Sequence, residues 1–113
     1  MKQGKIWGVT RLIARNPAFE FHVIEVEAGG YCSVHCHRTK SNGFYVFDGT
    51  LIVTTWDPDG TELDTEVGYG EYLVVPPGVK HRFKGKTACR VAELYWAEYS
   101  ADDIQREILG GRD

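Results

Sequence analysis

The amino-acid sequence predicts an all-β sandwich or barrel, on two observations. Turn signals recur along the chain, at Asn16–Pro17, Ala28–Gly30, Asp48–Gly49, Asp57–Gly60, Gly68–Gly70, Pro76–Gly78 and Lys84–Lys86. Between them lie short runs rich in Val, Ile, Thr and aromatic residues, a composition that suits a pleated, half-buried surface. The length of 113 residues predicts one domain spanning 1–113, with strands over about 5–98.

Taken in order, KIWGVTRLI (5–13) reads as an exposed edge strand and FEFHVIEVE (19–27) as a strand of mixed pattern. YCSVHCH (31–37) reads as extended chain, followed by the apolar run FYVF (44–47). TLIVTTW (50–56), EYLVV (71–75) and CRVAELYWAE (89–98) complete the strand-like runs. Side chains alternate faces along a strand, so in the last run Val91, Glu93, Tyr95 and Ala97 share one face. That face is either a ligand cavity or solvent. In a cavity, Glu93 is a candidate general base and Tyr95 a candidate acid. The end differs: Ser100 can cap a helix, and Ile104, Ile108 and Leu109 recur at helical spacing before two glycines. One short C-terminal helix is expected at about 101–109.

Composition excludes some roles. The net charge is −3, so the basic footprint of a nucleic-acid binder is missing. No apolar run approaches the ~20 residues of a membrane span. The opening MKQGKIWGVT has no apolar core of a secretory signal, and a cytoplasmic location is expected. The three cysteines include no CxxC pair. On an extended strand Cys32 and Cys36 stand ~13 Å apart, too far for a disulfide. Reduced thiols are expected, with Cys36 and Cys89 in the core.

The chemistry gathers around HCHRTKSN (35–42). His35 and His37 share a strand face, ~6–7 Å apart at the backbone, and can converge on one ion. A metal needs further ligands. His81, just after the Pro76–Gly78 turn, offers one, and the carbonyl oxygen of Asn42 offers another that is weaker than a carboxylate. His22 reads as a structural histidine. Arg38, Lys40, Lys80 and Arg82 flank these histidines in sequence, and such a cation group attracts anionic ligands.

Spacing now points to a family. Gly29, His35, His37, Asn42 and Gly49 stand at the offsets of the first cupin motif, and Gly70, Pro76, Gly78 and His81 at those of the second. The chain therefore resembles a small single-domain cupin. The resemblance implies a double-stranded β-helix (jelly-roll) barrel with His35, His37 and His81 in its mouth, holding one divalent ion (Zn, Fe, Mn or Ni). It also implies pairing into a homodimer through a sheet face or exchanged edges. Two positions depart from the motifs: Asn42 stands where cupins usually carry Glu, and Gly85 where they often carry Asn. A neutral ligand at 42 makes the site one negative charge poorer.

A narrower resemblance rests on KIWG (5–8), the Gly49–Thr50 turn, VPPGVKHR (75–82) and the tail from Asp102 to Arg112. These are similar to the cupin domain of type II mannose-6-phosphate isomerases, although Gly110 stands where that family's tail has Tyr. This resemblance implies substrate contact by Arg106 and a sugar-phosphate ligand. Three functions follow: a metal-dependent sugar-phosphate isomerase or epimerase, a three-histidine Fe(II) dioxygenase-type cupin, or a non-catalytic binder of a small acid. No nucleic-acid or membrane partner is expected.

Overall fold

The structure is a computed structural model that describes residues 2–97 and 107–113. The described residues form nine strands: β1 (Lys2–Lys5), β2 (Gly8–Asn16), β3 (Phe19–Val26), β4 (Ser41–Asp48), β5 (Leu51–Trp56), β6 (Glu62–Val67), β7 (Tyr72–Val75), β8 (Lys80–Gly85) and β9 (Cys89–Trp96). They form a six-stranded sheet of order β1-β2-β3-β9-β4-β7 and a three-stranded sheet of order β6-β5-β8. Every strand pairing is antiparallel.

Period-two alternation decides the core. Register aligns Ile24 with Val91 and Val91 with Val46 across the larger sheet. It aligns Leu51 with Val67 and Val53 with Phe83 across the smaller one. All of these side chains are buried between the two sheets with Phe44, Val26 and Val75. Toward one end of the sandwich the same inward rows turn polar: Glu93 follows Val91 on β9, His22 precedes Ile24 on β3, and Asn42 precedes Phe44 on β4. The register pairs His22 with Glu93 and Asn42 with Tyr95, so the polar residues of these rows lie together at that end.

Two expectations need correction, and a third falls largely outside the described residues. The N-terminal run 5–13 is not an edge strand. Ile6 and Trp7 form a turn, and β2 lies between β1 and β3, which makes β1 the edge. The expected helix at 101–109 lies largely outside the described residues, as does Arg106; its described part, from Glu107 to Leu109, is irregular and exposed. Among the described residues there is no helix, and none long and apolar enough to cross a membrane. Finally, Cys36 is exposed rather than in the core, whereas Cys32 and Cys89 are buried.

Candidate metal centre

Residues 31–37 touch the smaller sheet through two isolated bridges, Tyr31 to Lys84 and His35 to His81. At the second bridge the backbones exchange both bonds: His35 N–H donates to His81 O (3.0 Å) and His81 N–H to His35 O (2.9 Å). Gly78 N–H donates to His37 O at 2.7 Å, which ties the Pro76–Gly78 turn to the same segment. Two stretches far apart in sequence are thereby held edge to edge, and their imidazoles meet. Ring centroids are 5.2 Å apart for His35 and His37, 4.6 Å for His35 and His81, and 5.7 Å for His37 and His81. One ligand nitrogen from each lies within 4.8 Å of the others.

Hydrogen bonds aim the rings. Nδ1 of His35 bonds the carbonyl of Ser33 at 2.9 Å, and Nδ1 of His81 bonds the carbonyl of Val79 at 2.9 Å. Each carbonyl is two residues back, and each bond places the proton on Nδ1, leaving Nε2 as the free donor atom. The Nε2 of His37 is buried with no hydrogen-bond partner. Burial holds the pKa of His37 below the ordinary imidazole value, and the neighbouring His35 and His81 rings add to the shift. Burial lowers that of His81 too, against the opposing bond to Val79. Both shifts favour the neutral, ligating form.

Asn42 is 0% exposed and stands against this cluster. Its Nδ2 donates to Leu94 O at 3.1 Å, and its Oδ1 lies 3.0 Å from His81 Nε2. A neutral imidazole carries one N–H. With that proton on Nδ1, the Nε2 lone pair faces the Oδ1 lone pair, and two acceptors this close repel. A cation between them relieves the contact. Two ligand atoms ~2.1 Å from one ion and at right angles stand about 3.0 Å apart. The residues present thus fit a divalent ion: a buried nitrogen without a partner, two rings aimed by backbone carbonyls, and an acceptor pair at ligand spacing.

Beside His35 lies a cavity of about 300 Å³, whose lining includes Gln3, Lys5, Thr10, His22, Glu93 and Tyr95. The open question about β9 is therefore answered: the Glu93–Tyr95 face points inward. The Tyr95 hydroxyl donates to Glu93 Oε2 at 2.8 Å, and its ring packs edge-on to His37 at 5.0 Å. Burial pushes the Glu93 carboxyl up to about 7, against the lowering bonds from Tyr95 and Asn42. Burial also pushes the Tyr95 hydroxyl above its ordinary value, as does the adjacent carboxylate. His22 is satisfied as expected, with Thr10 Oγ1 at 3.4 Å and Glu20 Oε1 at 3.3 Å.

The expected cations divide. Lys40 approaches the site, with Nζ 5.4 Å from the Tyr95 ring centroid and 3.9 Å from Glu20 Oε2. Lys80 and Arg82 alternate with the inward His81 and Phe83, so they leave the opposite face of β8, where Arg82 lies over the Tyr31 ring at 5.3 Å. Arg38 is exposed. Sequence reading missed Gln3, Lys5 and Thr10, which reach the cavity because the β1–β2 hairpin folds over it. Nothing in their local pattern marks them; only the hairpin brings them near.

Comparison with known proteins agrees with this geometry. Residues 22–97 match the cupin domain family model. Among curated proteins, germin-like protein subfamily T member 3 of Arabidopsis thaliana is 29% identical over 87 residues, 75% of this chain. The chain spans 36% of that relative's length. Among solved structures, KdgF from Halomonas sp. superposes with a TM-score of 0.74 at 16% identity, covering 88% of this chain and 89% of that one. A cupin-2 domain protein from Shewanella frigidimarina gives 0.63 at 27% identity, with 75% and 76% covered. Oxalate decarboxylase of Bacillus subtilis, studied for its Mn(II) centres, gives 0.76 at 16% identity, covering 91% of this chain and 29% of that one.

Proposed function

This chain belongs to the cupin family, and from that membership and the geometry of the site we propose a metal-dependent enzyme of the isomerase or epimerase kind. Its substrate is a small hydroxy-carbonyl compound with an anionic group, such as a sugar phosphate. His35, His37, His81 and Asn42 hold one divalent ion, which when bound polarises the substrate carbonyl. The observation that carries the reading is the Glu93–Tyr95 pair standing against the imidazole cluster: it lines one cavity with His35, and the Tyr95 ring packs on His37. Glu93 takes a proton from the hydroxyl-bearing carbon and returns it to the former carbonyl carbon, while the hydroxyl proton passes to the former carbonyl oxygen; Tyr95 holds the carboxylate in place. Lys40 and Lys5 are the cations nearest the cavity and meet the anionic group. Mn(II) in the oxalate decarboxylase supports a divalent ion here and leaves Zn, Fe and Ni as rivals. We further propose a cytoplasmic homodimer.

The test has two parts. Protein purified without added metal should carry about one ion per chain, and His81→Ala should lose it. Interconversion of mannose 6-phosphate and fructose 6-phosphate should depend on that ion and fall by at least ~100-fold in Glu93→Gln. No turnover with any divalent ion would remove the isomerase. A second reading has its own observation: the gathered ligand group contains histidines and no carboxylate. That favours a three-histidine Fe(II) site acting with oxygen, and selective iron retention with oxygen uptake would establish it.

A further inference from the structure

Thr10, His22 and Glu20 form a hydrogen-bonded series that neither the metal centre nor the Glu93–Tyr95 pair uses. Thr10 and His22 line the same cavity as Glu93 and Tyr95. The register sets Leu12 opposite His22 and Thr10 opposite Ile24, so the hydroxyl and the imidazole sit diagonally on adjacent strands. His22 Nε2 lies 3.3 Å from Glu20 Oε1, and its Nδ1 lies 3.4 Å from Thr10 Oγ1. The Tyr95 ring packs edge-on to the imidazole at 5.9 Å. A carboxylate only accepts, so a neutral His22 donates its single ring proton from Nε2 to Glu20. Its Nδ1 lone pair then accepts the Thr10 O–H. A hydroxyl, an imidazole and a carboxylate in series make the hydroxyl oxygen a better proton acceptor, and here that oxygen faces a ligand cavity.

We propose that Thr10 is a catalytic residue that carries the hydroxyl proton of the substrate, with His22 and Glu20 as its positioning residues. The proposal rests on the isomerase reading above and completes it: Glu93 moves the carbon-bound proton, and the second proton needs its own carrier. Thr10 Oγ1 takes the proton of the substrate hydroxyl as its own proton passes to His22 Nδ1. It then gives a proton to the former carbonyl oxygen as His22 returns the one it held. Protons balance, and no electron is transferred to or from the protein.

Two measurements test the relay. Nitrogen NMR of the imidazoles, assigned with His22→Gln, reads the tautomer without substrate. At about pH 8 the His22 proton should sit on Nε2; a proton on Nδ1 would overturn the relay. Kinetics with mannose 6-phosphate use the metal-loaded protein. Thr10→Val removes the hydroxyl and should lower kcat by about 100-fold or more, with KM within about threefold of wild type. Thr10→Ser should keep kcat within about fivefold of wild type, and His22→Gln should add little to Thr10→Val. Thr10→Val should match wild type in Zn²⁺ affinity and melting temperature. A kcat for Thr10→Val within about threefold of wild type, a Thr10→Ser as slow as Thr10→Val, or a fall in metal affinity or melting temperature that accounts for the lost rate would each overturn the relay. If wild type turns over nothing with any divalent ion, the isomerase reading fails and takes this role with it. Turnover by wild type with an indifferent Thr10→Val sinks the relay alone.

Discussion

At the scale of single residues the three thiols separate cleanly. Burial pushes Cys32 and Cys89 up to about 11, while Cys36 faces solvent. The thiolate is the nucleophile, so a mild alkylating reagent at pH 7.5 should modify one thiol of the native protein, Cys36, and all three after unfolding. Mass spectrometry of the labelled peptides reads this directly; fast labelling of Cys32 in the native state would contradict the packing. The exposure of Cys36 was not legible in advance. Opposition to His35 and His37 on one strand correctly turned it away from the ligands, but β-alternation says nothing about what covers the far side. Here residues 31–37 meet the smaller sheet at isolated bridges, and the described residues leave Cys36 exposed. The histidine cluster, by contrast, was legible, because fixed offsets in two motifs name the residues even though they are some forty-five positions apart.

Elements depend on turns whose backbone leaves little choice. Gly49, between β4 and β5, has φ of 79°, and a Cβ there would sit 2.3 Å from the Ala88 carbonyl oxygen. Gly60, between β5 and β6, has φ of 89° but open space around it. Gly60→Ala should therefore cost only the left-handed penalty of about 1–2 kcal/mol. Gly49→Ala should cost that and a further ~1–3 kcal/mol for the forced shift of β9's start. Urea denaturation of both variants checks the difference; equal losses would mean that the Ala88 contact is relieved freely. Alternation along β8 was legible: residues adjacent to an inward histidine must point outward, which removes Lys80 and Arg82 from the cavity. Lys40 escapes that rule because it lies in the loop before β4, whose path no periodicity describes.

For the whole molecule, the outer face of the larger sheet has aromatic and aliphatic side chains in solvent. Tyr72 is 52% exposed, and Tyr45 and Val74 are also open. Beside them lies an apolar hollow of about 500 Å³ lined by Phe19, Leu94 and Trp96. Gly43 makes room for it, since a Cβ there would meet the Tyr72 hydroxyl and the Trp96 ring at 2.8 and 2.9 Å. A contiguous apolar patch of this kind marks a contact surface, and the homodimer is expected to use it. Sedimentation should give twice the chain mass, and Tyr72→Lys with Val74→Lys should return the monomer while metal content per chain stays unchanged. A wild-type monomer at high protein concentration would end that expectation.

The sequence alone determined the all-β class, the inward hydrophobic rows and the identity of the histidines, since alternation, turn chemistry and motif spacing are local properties that short stretches carry in full. Tertiary structure decided which face of β9 meets the cavity, which cations reach it, and how Asn42 is turned. Each of those depends on what a distant strand places opposite: the β1–β2 hairpin over Tyr95 and Glu93, and the Leu94 carbonyl and the His81 ring beside the amide. Pairing partners far apart in the chain leave no periodic trace in either segment, so their consequences emerge only when the sheets close.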